Sequence, residues 1–230
     1  MTNLLRIESQ ARRELSAWQR FFAPELVQTL GPVEAQNVQG ELDSELKKLL
    51  AMMPDPGWRA PQMRAFGLGG AIYLALYLVL ARRGQTADQV WHICEQATRT
   101  RFSRLSWFQR KTMGWLLFSP LWKQMTKSIA TKSAQAAVGG WVLDYVPPDP
   151  GSSDYGVTYH RCAIRDLAHA VGAEAFAPFI CQSDAVMSEL LGWGLRRTGT
   201  IAQGQSQCDF RFRKGQPTDV RSVTRLPVVR

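Results

Sequence analysis

The segment Tyr155-Gly-Val-Thr-Tyr-His-Arg-Cys162 has the alternating pattern of a half-buried β-strand. A second apolar run, Gly140-Trp-Val-Leu-Asp-Tyr-Val146, precedes it, and only the turn-rich residues 147–154 separate the two. So short a connection predicts an antiparallel pair. Alternation divides the later strand into two faces. One carries Tyr155, Val157 and Tyr159, and the other, more polar face carries Thr158, His160 and Cys162.

A second hairpin is predicted further along the chain. Its strands are Leu195–Ala202 and Gln205–Arg213, and they turn at Gln203-Gly-Gln205. Two helical segments, 164–171 and 173–193, lie between the hairpins, and Gly172 ends the first. The order β-β-α-α-β-β predicts an α+β fold with an antiparallel sheet.

The N-terminal half has helical spacing of its apolar residues. Helices are predicted at residues 3–22, 33–53, 61–83, 87–100 and 104–137, with Pro120 kinking or splitting the last. The third includes seventeen uncharged residues, Ala65–Ala81. That is just short of the about 20 needed to cross a bilayer, and a buried core helix is preferred. The predicted parts are a helical region 1–137, an α+β core 138–215 and a basic tail 216–230, expected to form one integrated domain.

Composition is that of a globular protein of one large domain or two small ones. The 230 residues are 45% hydrophobic and 20% charged, enough for a substantial core without a disulfide or metal staple. Four cysteines do not make a disulfide scaffold, and the first residues lack the layout of a signal peptide. We therefore expect a cytoplasmic protein with free thiols.

Positive charge is unevenly distributed in this chain of net charge +9. The span 96–143 has eight basic residues and no acid, and residues 211–230 have six basic residues against Asp219. Such blocks suit an anionic partner or a solvated basic face. Trp107, Trp115 and Trp122 lie among these charges, so docking on a membrane surface is one alternative. Nucleic-acid binding is not expected, because no recognition motif accompanies the charge.

Three cysteines lie beside polar or acidic groups in the last third of the chain. Cys181 and Asp184 are three residues apart on a predicted helix and share a face. A carboxylate would raise the pKa of a neighbouring thiol, so Asp184 suits a proton donor or a ligand for a cationic group. His160 could deprotonate a thiol that the fold brings near. Cys208 shares its strand face with Phe210 and Phe212, which also fits plain packing.

Common cofactor and metal motifs are missing from the sequence. There is no paired-cysteine or paired-histidine motif, although dispersed cysteines converging on zinc remain an alternative. Gly67-Leu-Gly-Gly70 lies inside a predicted helix rather than after a strand, unlike a phosphate-binding loop. We predict neither cofactor nor metal.

Five short motifs occur in a fixed order over residues 139–213. They are Tyr159-His-Arg-Cys162, Ala173-Glu-Ala-Phe176, Cys181-Gln-Ser-Asp184, Arg197-Thr-Gly-Thr200 and Cys208-Asp-Phe-Arg-Phe212. Together with Gly204 they resemble the L-2-amino-thiazoline-4-carboxylic acid hydrolase family. The resemblance implies a hydrolase that acts on a C–N bond and opens a cyclic amidine by adding water at carbon.

The same resemblance implies roles for individual residues. The implied catalytic residues are Cys162, Cys181, Asp184, Cys208 and His160, and the implied substrate-binding residues are Asp209, Arg197, Thr198 and Tyr159. Opening a C=N bond requires a nucleophile at carbon and an acid at the leaving atom, and the sequence leaves covalent and direct hydrolysis equally open. A non-catalytic small-molecule-binding module is the main rival, and a homo-oligomer is also open.

Overall fold

The α+β class predicted from the sequence is confirmed. The computed structural model describes residues 2–57 and 60–220, and side chains from residue 9 onward. The helical half comprises α1 (Thr2–Leu30), α2 (Pro32–Met52), α3 (Pro61–Ala81), α4 (Ala87–Ser103), α5 (Trp107–Phe118) and α6 (Pro120–Ser133). There follow β1 (Val142–Val146), β2 (Tyr155–Arg161), α7 (Ala163–Ala170), α8 (Ala177–Ile180), α9 (Gln182–Leu191), β3 (Leu195–Arg197), β4 (Cys208–Phe212) and β5 (Asp219–Val220).

Helix α3 lies in the centre of the core. It is apolar on all sides, as expected of a helix surrounded by other elements, and Ile72, Leu74, Leu76 and Leu80 are fully buried. Within the described residues it is the single helix long and apolar enough to cross a membrane, yet 67% of its most apolar window is buried inside the protein. The preference for a core helix therefore agrees with its packing.

Helix boundaries follow local capping chemistry. Thr86 and Ser106 each form a reciprocal capping box with a glutamine three residues later, which starts α4 and α5. Pro120 splits the predicted fifth helix in two, and Ser119 caps the second piece by accepting a hydrogen bond from the Trp122 amide. The first helix is longer than predicted, since it continues past Phe22 and through Pro24 to Leu30.

The sheet is mixed rather than wholly antiparallel. Its strand order is β1-β2-β4-β3-β5, and both predicted strand pairs are antiparallel. The second pair is shorter than predicted, because the strand expected over 195–202 ends at Arg197 and a 3-10 turn, Ile201–Gln203, lies where it was expected to continue. The additional strand β5 pairs with β3 in parallel, with Arg196 opposite Asp219. It forms within the predicted basic tail 216–230, of which residues 221–230 lie outside the described residues.

The two faces of the sheet differ in polarity as the alternation predicted. Tyr155 lies opposite Phe212 and stacks on it at a centroid distance of 5.1 Å, on the face that packs against the helices. Asp144 lies opposite Thr158 on the other face. The alternation fails at the end of β2, because the register shifts beside His160, with Val142 opposite Arg161 and Leu143 opposite Tyr159, and Cys162 is the N-cap of α7. Cys162 therefore does not continue the His160 face.

The helix predicted over 173–193 is divided in two. A short helix, α8, ends at Ile180 and Cys181 is the residue between it and α9. Asp184 consequently lies in the first turn of α9, where the positive end of a helix dipole favours a carboxylate. Gly192, at φ 70°, ends α9 in the left-handed conformation that glycine adopts without strain.

Candidate active site around three thiols

Four elements bring the cysteine residues of the last third together. Cys208, at the start of β4, lies directly opposite Tyr159 near the end of β2. Cys162 follows β2, and Cys181 precedes α9. The ionisable groups of Cys162, Cys181, Cys208 and Asp184 interact electrostatically with one another, which places them in one cluster. We call Cys162, Cys181, Cys208 and Asp184 the thiol cluster.

Arg197, on β3, bonds two members of the thiol cluster. One terminal nitrogen, Nη1, donates to Asp184 Oδ2 at 3.1 Å, and Nη2 donates to the carbonyl oxygen of Cys181 at 2.9 Å. The guanidinium also lies over the Phe210 ring, 5.0 Å from its centroid. The Arg197 side chain is 1% exposed and that of Asp184 is 31% exposed. A cation this deeply buried requires its carboxylate partner.

Burial keeps the thiols of the cluster in their neutral forms. It raises the pKa of Cys181 far above the ordinary value of a thiol and raises the pKa of Cys208 to about 12. Burial also raises the pKa of Asp184, although the charge and hydrogen bond of Arg197 oppose that rise. All four cysteines of the chain are free thiols. The ligand-free site therefore contains protonated thiols at neutral pH.

Cys162 differs from the other two thiols in its position at a helix N-terminus. Burial raises the pKa of Cys162, but the backbone amides of Ile164 and Arg165 in the first turn of α7 oppose the rise. Helix N-terminal amides favour a thiolate over a thiol. Cys162 is also partly exposed, whereas Cys208 is 5% exposed. Of the three, Cys162 has the surroundings best suited to a nucleophile.

His160 lies apart from the thiols. Its Nε2 is 2.8 Å from Asp144 Oδ2, and both side chains are exposed on the polar face of the sheet. Tyr159, the preceding residue, points to the opposite face and interacts electrostatically with Cys162, Cys208 and Asp184. The expectation that His160 and Cys162 share a face is wrong, because the strand ends between them. His160 is thus not placed to deprotonate Cys162.

Asp209 and Thr198 are engaged with each other. The Thr198 amide donates to Asp209 at 3.0 Å, its hydroxyl donates at 2.7 Å, and the Gly199 amide donates at 3.2 Å. Asp209 thus fixes the turn that follows Arg197, and so positions the buried cation of the cluster.

A small cavity adjoins Tyr159 on the core face of the sheet. Its volume is about 40 Å³, and Gln62, Tyr155 and Tyr159 are among its lining residues. Gln62 is 5% exposed, and neither atom of its side-chain amide has a hydrogen-bond partner within the described residues. Sequence reasoning missed Gln62, whose one signal is that it is an uncharged polar residue in the first turn of a largely apolar helix.

A larger cavity, of about 230 Å³, lies elsewhere. Helices α1, α2 and α3 and the side chain of Trp141 line it, and none of the predicted site residues does. Its size alone does not make it the active site, because the groups with perturbed pKa values are gathered around the thiols instead.

No group of three or more histidine, cysteine or acidic side chains in residues 2–57 and 60–220 is arranged to hold a metal ion.

Comparison with known proteins identifies the family of the chain. The family model described as L-2-amino-thiazoline-4-carboxylic acid hydrolase matches residues 69–212. The chain belongs to this family. Membership supports a hydrolase-type function in general terms, and the match spans every residue of the thiol cluster and Arg197. No curated protein and no solved structure gave a match.

Proposed function

We propose that this family member hydrolyses a C–N bond of a small cyclic amidine or related heterocycle. The observation that carries the proposal is the gathering of Cys162, Cys181, Cys208 and Asp184 around buried Arg197. It supplies in one place a nucleophile, a group that exchanges protons, and a cation that fixes the carboxylate. These are the groups that ring opening of an amidine requires.

A cationic amidinium is the substrate form that suits this site. The thiols are neutral at rest because burial disfavours their charged forms. A positive charge bound next to them lowers the pKa of each thiol and of Asp184. Substrate binding would therefore produce the thiolate that the empty site suppresses. This favours a thiol that becomes reactive only in the complex.

The reaction then follows from the positions of Cys162 and Asp184. The Cys162 thiol passes its proton to Asp184 and the thiolate adds to the amidinium carbon, so that the electron pair of the C=N bond moves to the already protonated nitrogen. The tetrahedral adduct then collapses: the ring bond breaks, and the departing ring atom takes the proton from Asp184. Water adds to the resulting trigonal carbon, and loss of the Cys162 thiolate, which takes up the proton released by the water, gives the opened product and restores the thiol. One water molecule is consumed and no oxidant or reductant is needed.

The binding of a substrate carboxylate is not a role for the terminal nitrogens of Arg197. Both already donate hydrogen bonds, one to Asp184 and the other to the carbonyl oxygen of Cys181. Its Nε is buried and has no partner within the described residues, and so it remains available as a single donor. Tyr159 is the proposed contact for the heterocycle. It is partly exposed and lies beside three members of the thiol cluster, Cys162, Cys208 and Asp184.

The test is turnover of a panel of cyclic amidines, with product followed by chromatography. We expect Cys162→Ser and Asp184→Asn each to lower kcat by about 100-fold or more. Cys94→Ser is the matched control, because Cys94 is a free thiol buried in α4 outside the cluster. A chain that binds an amidine, detected by calorimetry, but turns over none of the panel would be a binding module instead.

A further inference from the structure

Helix α5 exposes an unusual amount of apolar surface. Six large hydrophobic side chains between residues 107 and 121 face solvent, and they are Trp107, Phe108, Met113, Trp115, Leu116 and Leu121. Trp107 is 67% exposed, Phe108 72% and Leu121 67%. Exposed apolar patches of this kind mark interaction surfaces rather than ordinary solvent-facing helices. We refer to these six residues as the α5 patch.

The patch extends around most of α5 and into the first turn of α6, where Leu121 lies. Trp107, Lys111 and Trp115 are spaced by four residues and follow one another along one helix face, and Met113 and Leu116 are exposed on other sides. The narrow buried side of α5 is formed by Gly114 and Leu117. A Cβ at Gly114 would lie 2.3 Å from the Leu191 carbonyl oxygen, so α5 packs closely on α9 there. This contact fixes which side of α5 is presented outward.

Basic residues, and no acidic ones, accompany the patch. The span 96–143 contains no aspartate or glutamate, while Arg104, Arg110 and Lys111 flank the exposed aromatics. The Lys111 ammonium lies 5.8 Å from the centroid of the Trp107 ring. On α9, which packs against α5, Glu189 is paired with Arg99 at 3.1 Å. The charge around the patch is therefore positive and is not balanced by its own segment.

We propose that the α5 patch docks the protein on an anionic membrane surface. Tryptophan and phenylalanine enter the boundary between headgroups and acyl chains, and neighbouring lysines and arginines bind anionic headgroups. A second copy of the chain fits the patch less well. A symmetric dimer formed through it would bring Arg104, Arg110 and Lys111 against the same residues of the partner. This inference does not rest on the proposed hydrolysis reaction.

The geometry relates the docking face to the thiol cluster. Gly114 contacts α9 at Leu191, the last residue of that helix, while Asp184 lies in its first turn. The seven-residue separation of Asp184 from Leu191 spans about 10 Å of helix. Docking through α5 therefore leaves the candidate active site at the far end of α9 rather than under the patch.

The test is co-sedimentation with vesicles of phosphatidylcholine alone or mixed with phosphatidylglycerol. We expect binding to the anionic vesicles at low salt, weakened by added salt. Lys111→Gln should weaken it about fivefold, since one surface cation is lost, and Trp115→Ala should weaken it at least as much. Neither side chain is buried, so thermal melts should be unchanged.

Two control variants lie on α2. Lys48→Gln removes one positive charge and Val33→Ala removes exposed apolar surface away from α5, and both should bind vesicles like the parent. Absence of binding to anionic vesicles at low salt would overturn the proposal. Equal weakening by Lys48→Gln would also overturn it, because binding would then follow net charge alone. A dimer in ultracentrifugation that Trp115→Ala disperses, without vesicle binding, would make the patch a self-interface.

Discussion

Arg197 donates to Asp184 at 3.1 Å from a side chain that is almost completely buried. The two residues come from β3 and α9, thirteen positions apart, and their pairing connects the sheet to the helix that begins the candidate site. The same guanidinium holds the carbonyl of Cys181. The pair therefore affects both the placement of the proposed catalytic groups and the stability of the protein. For variants of either residue, turnover and stability must both be measured.

Removing Arg197 should destabilise the protein strongly. Arg197→Met leaves the Asp184 carboxylate without its partner in a largely buried setting, and we expect a loss of about 3 kcal/mol in the free energy of unfolding. The matched control is Arg196→Met. Arg196 is adjacent and exposed, and its Nε lies 3.8 Å from Asp219 Oδ2. Urea denaturation measures both variants. Similar losses for the two would show that the buried pair has no special stabilising role.

Stability should decrease at alkaline pH because of the buried thiols. A raised folded-state pKa means that the stabilising contribution is complete below the unfolded pKa of about 8.5 and is lost as pH rises through the folded pKa. For Cys208 the folded pKa is about 12. Between pH 8 and pH 10, the free energy of unfolding of Cys208→Ser should thus fall by about 2 kcal/mol less than that of the parent. Urea titrations at the two pH values, with reductant present, provide the comparison, and equal losses would contradict the assignment.

Native and denatured protein should differ in the number of reactive thiols. Cys94 and Cys208 are 0% and 5% exposed, whereas Cys162 and Cys181 are partly exposed. A thiol-specific reagent should label two cysteines in the native state and four after denaturation. Since the α7 amides oppose the rise in its pKa, Cys162 should react first. Peptide mapping by mass spectrometry identifies the order, and rapid labelling of Cys208 would disagree with its burial.

Asp209 should act through the turn that it holds. Asp209→Ala leaves the amides of Thr198 and Gly199 without their acceptor and should cost about 1–3 kcal/mol of stability. Asp209→Asn keeps one acceptor oxygen and should recover part of that loss. A substrate-binding role predicts a different result, in which both variants raise KM while their melting temperatures stay at the parent value.

Alternation and turn chemistry were enough to predict the first hairpin, the antiparallel pairing of the second and the faces of β2, but not the short strand and 3-10 turn of the second hairpin. The polar and apolar sides of Tyr155–Arg161 follow directly from a period of two. The prediction failed at the end of β2, since the register shifts beside His160 and Cys162, the N-cap of α7, leaves the His160 face. The split of the helix at Cys181 was missed for a similar reason, because apolar spacing continues across the junction between α8 and α9.

Long-range pairings could not be predicted from local pattern. Arg197 was recognised as a residue of interest, but its partner Asp184 depends on how α9 packs beside β3. Likewise, β5 pairs through only two residues beside β3, too few for any periodicity. Gln62 lies outside the motifs altogether and acquires its unpartnered, buried position only through the packing of α3 against the sheet.

The most direct measurement is the mass of the product formed from 2-aminothiazoline-4-carboxylate in water enriched in the heavy isotope of oxygen. We expect a ring-opened product that contains one oxygen from solvent, formed by the parent and by Cys94→Ser. With Cys162→Ser and with folded Asp184→Asn we expect the reaction to be at least about 100-fold slower. Ring opening by Cys162→Ser and Asp184→Asn at the parental rate would contradict the assignment of the thiol cluster as the active site.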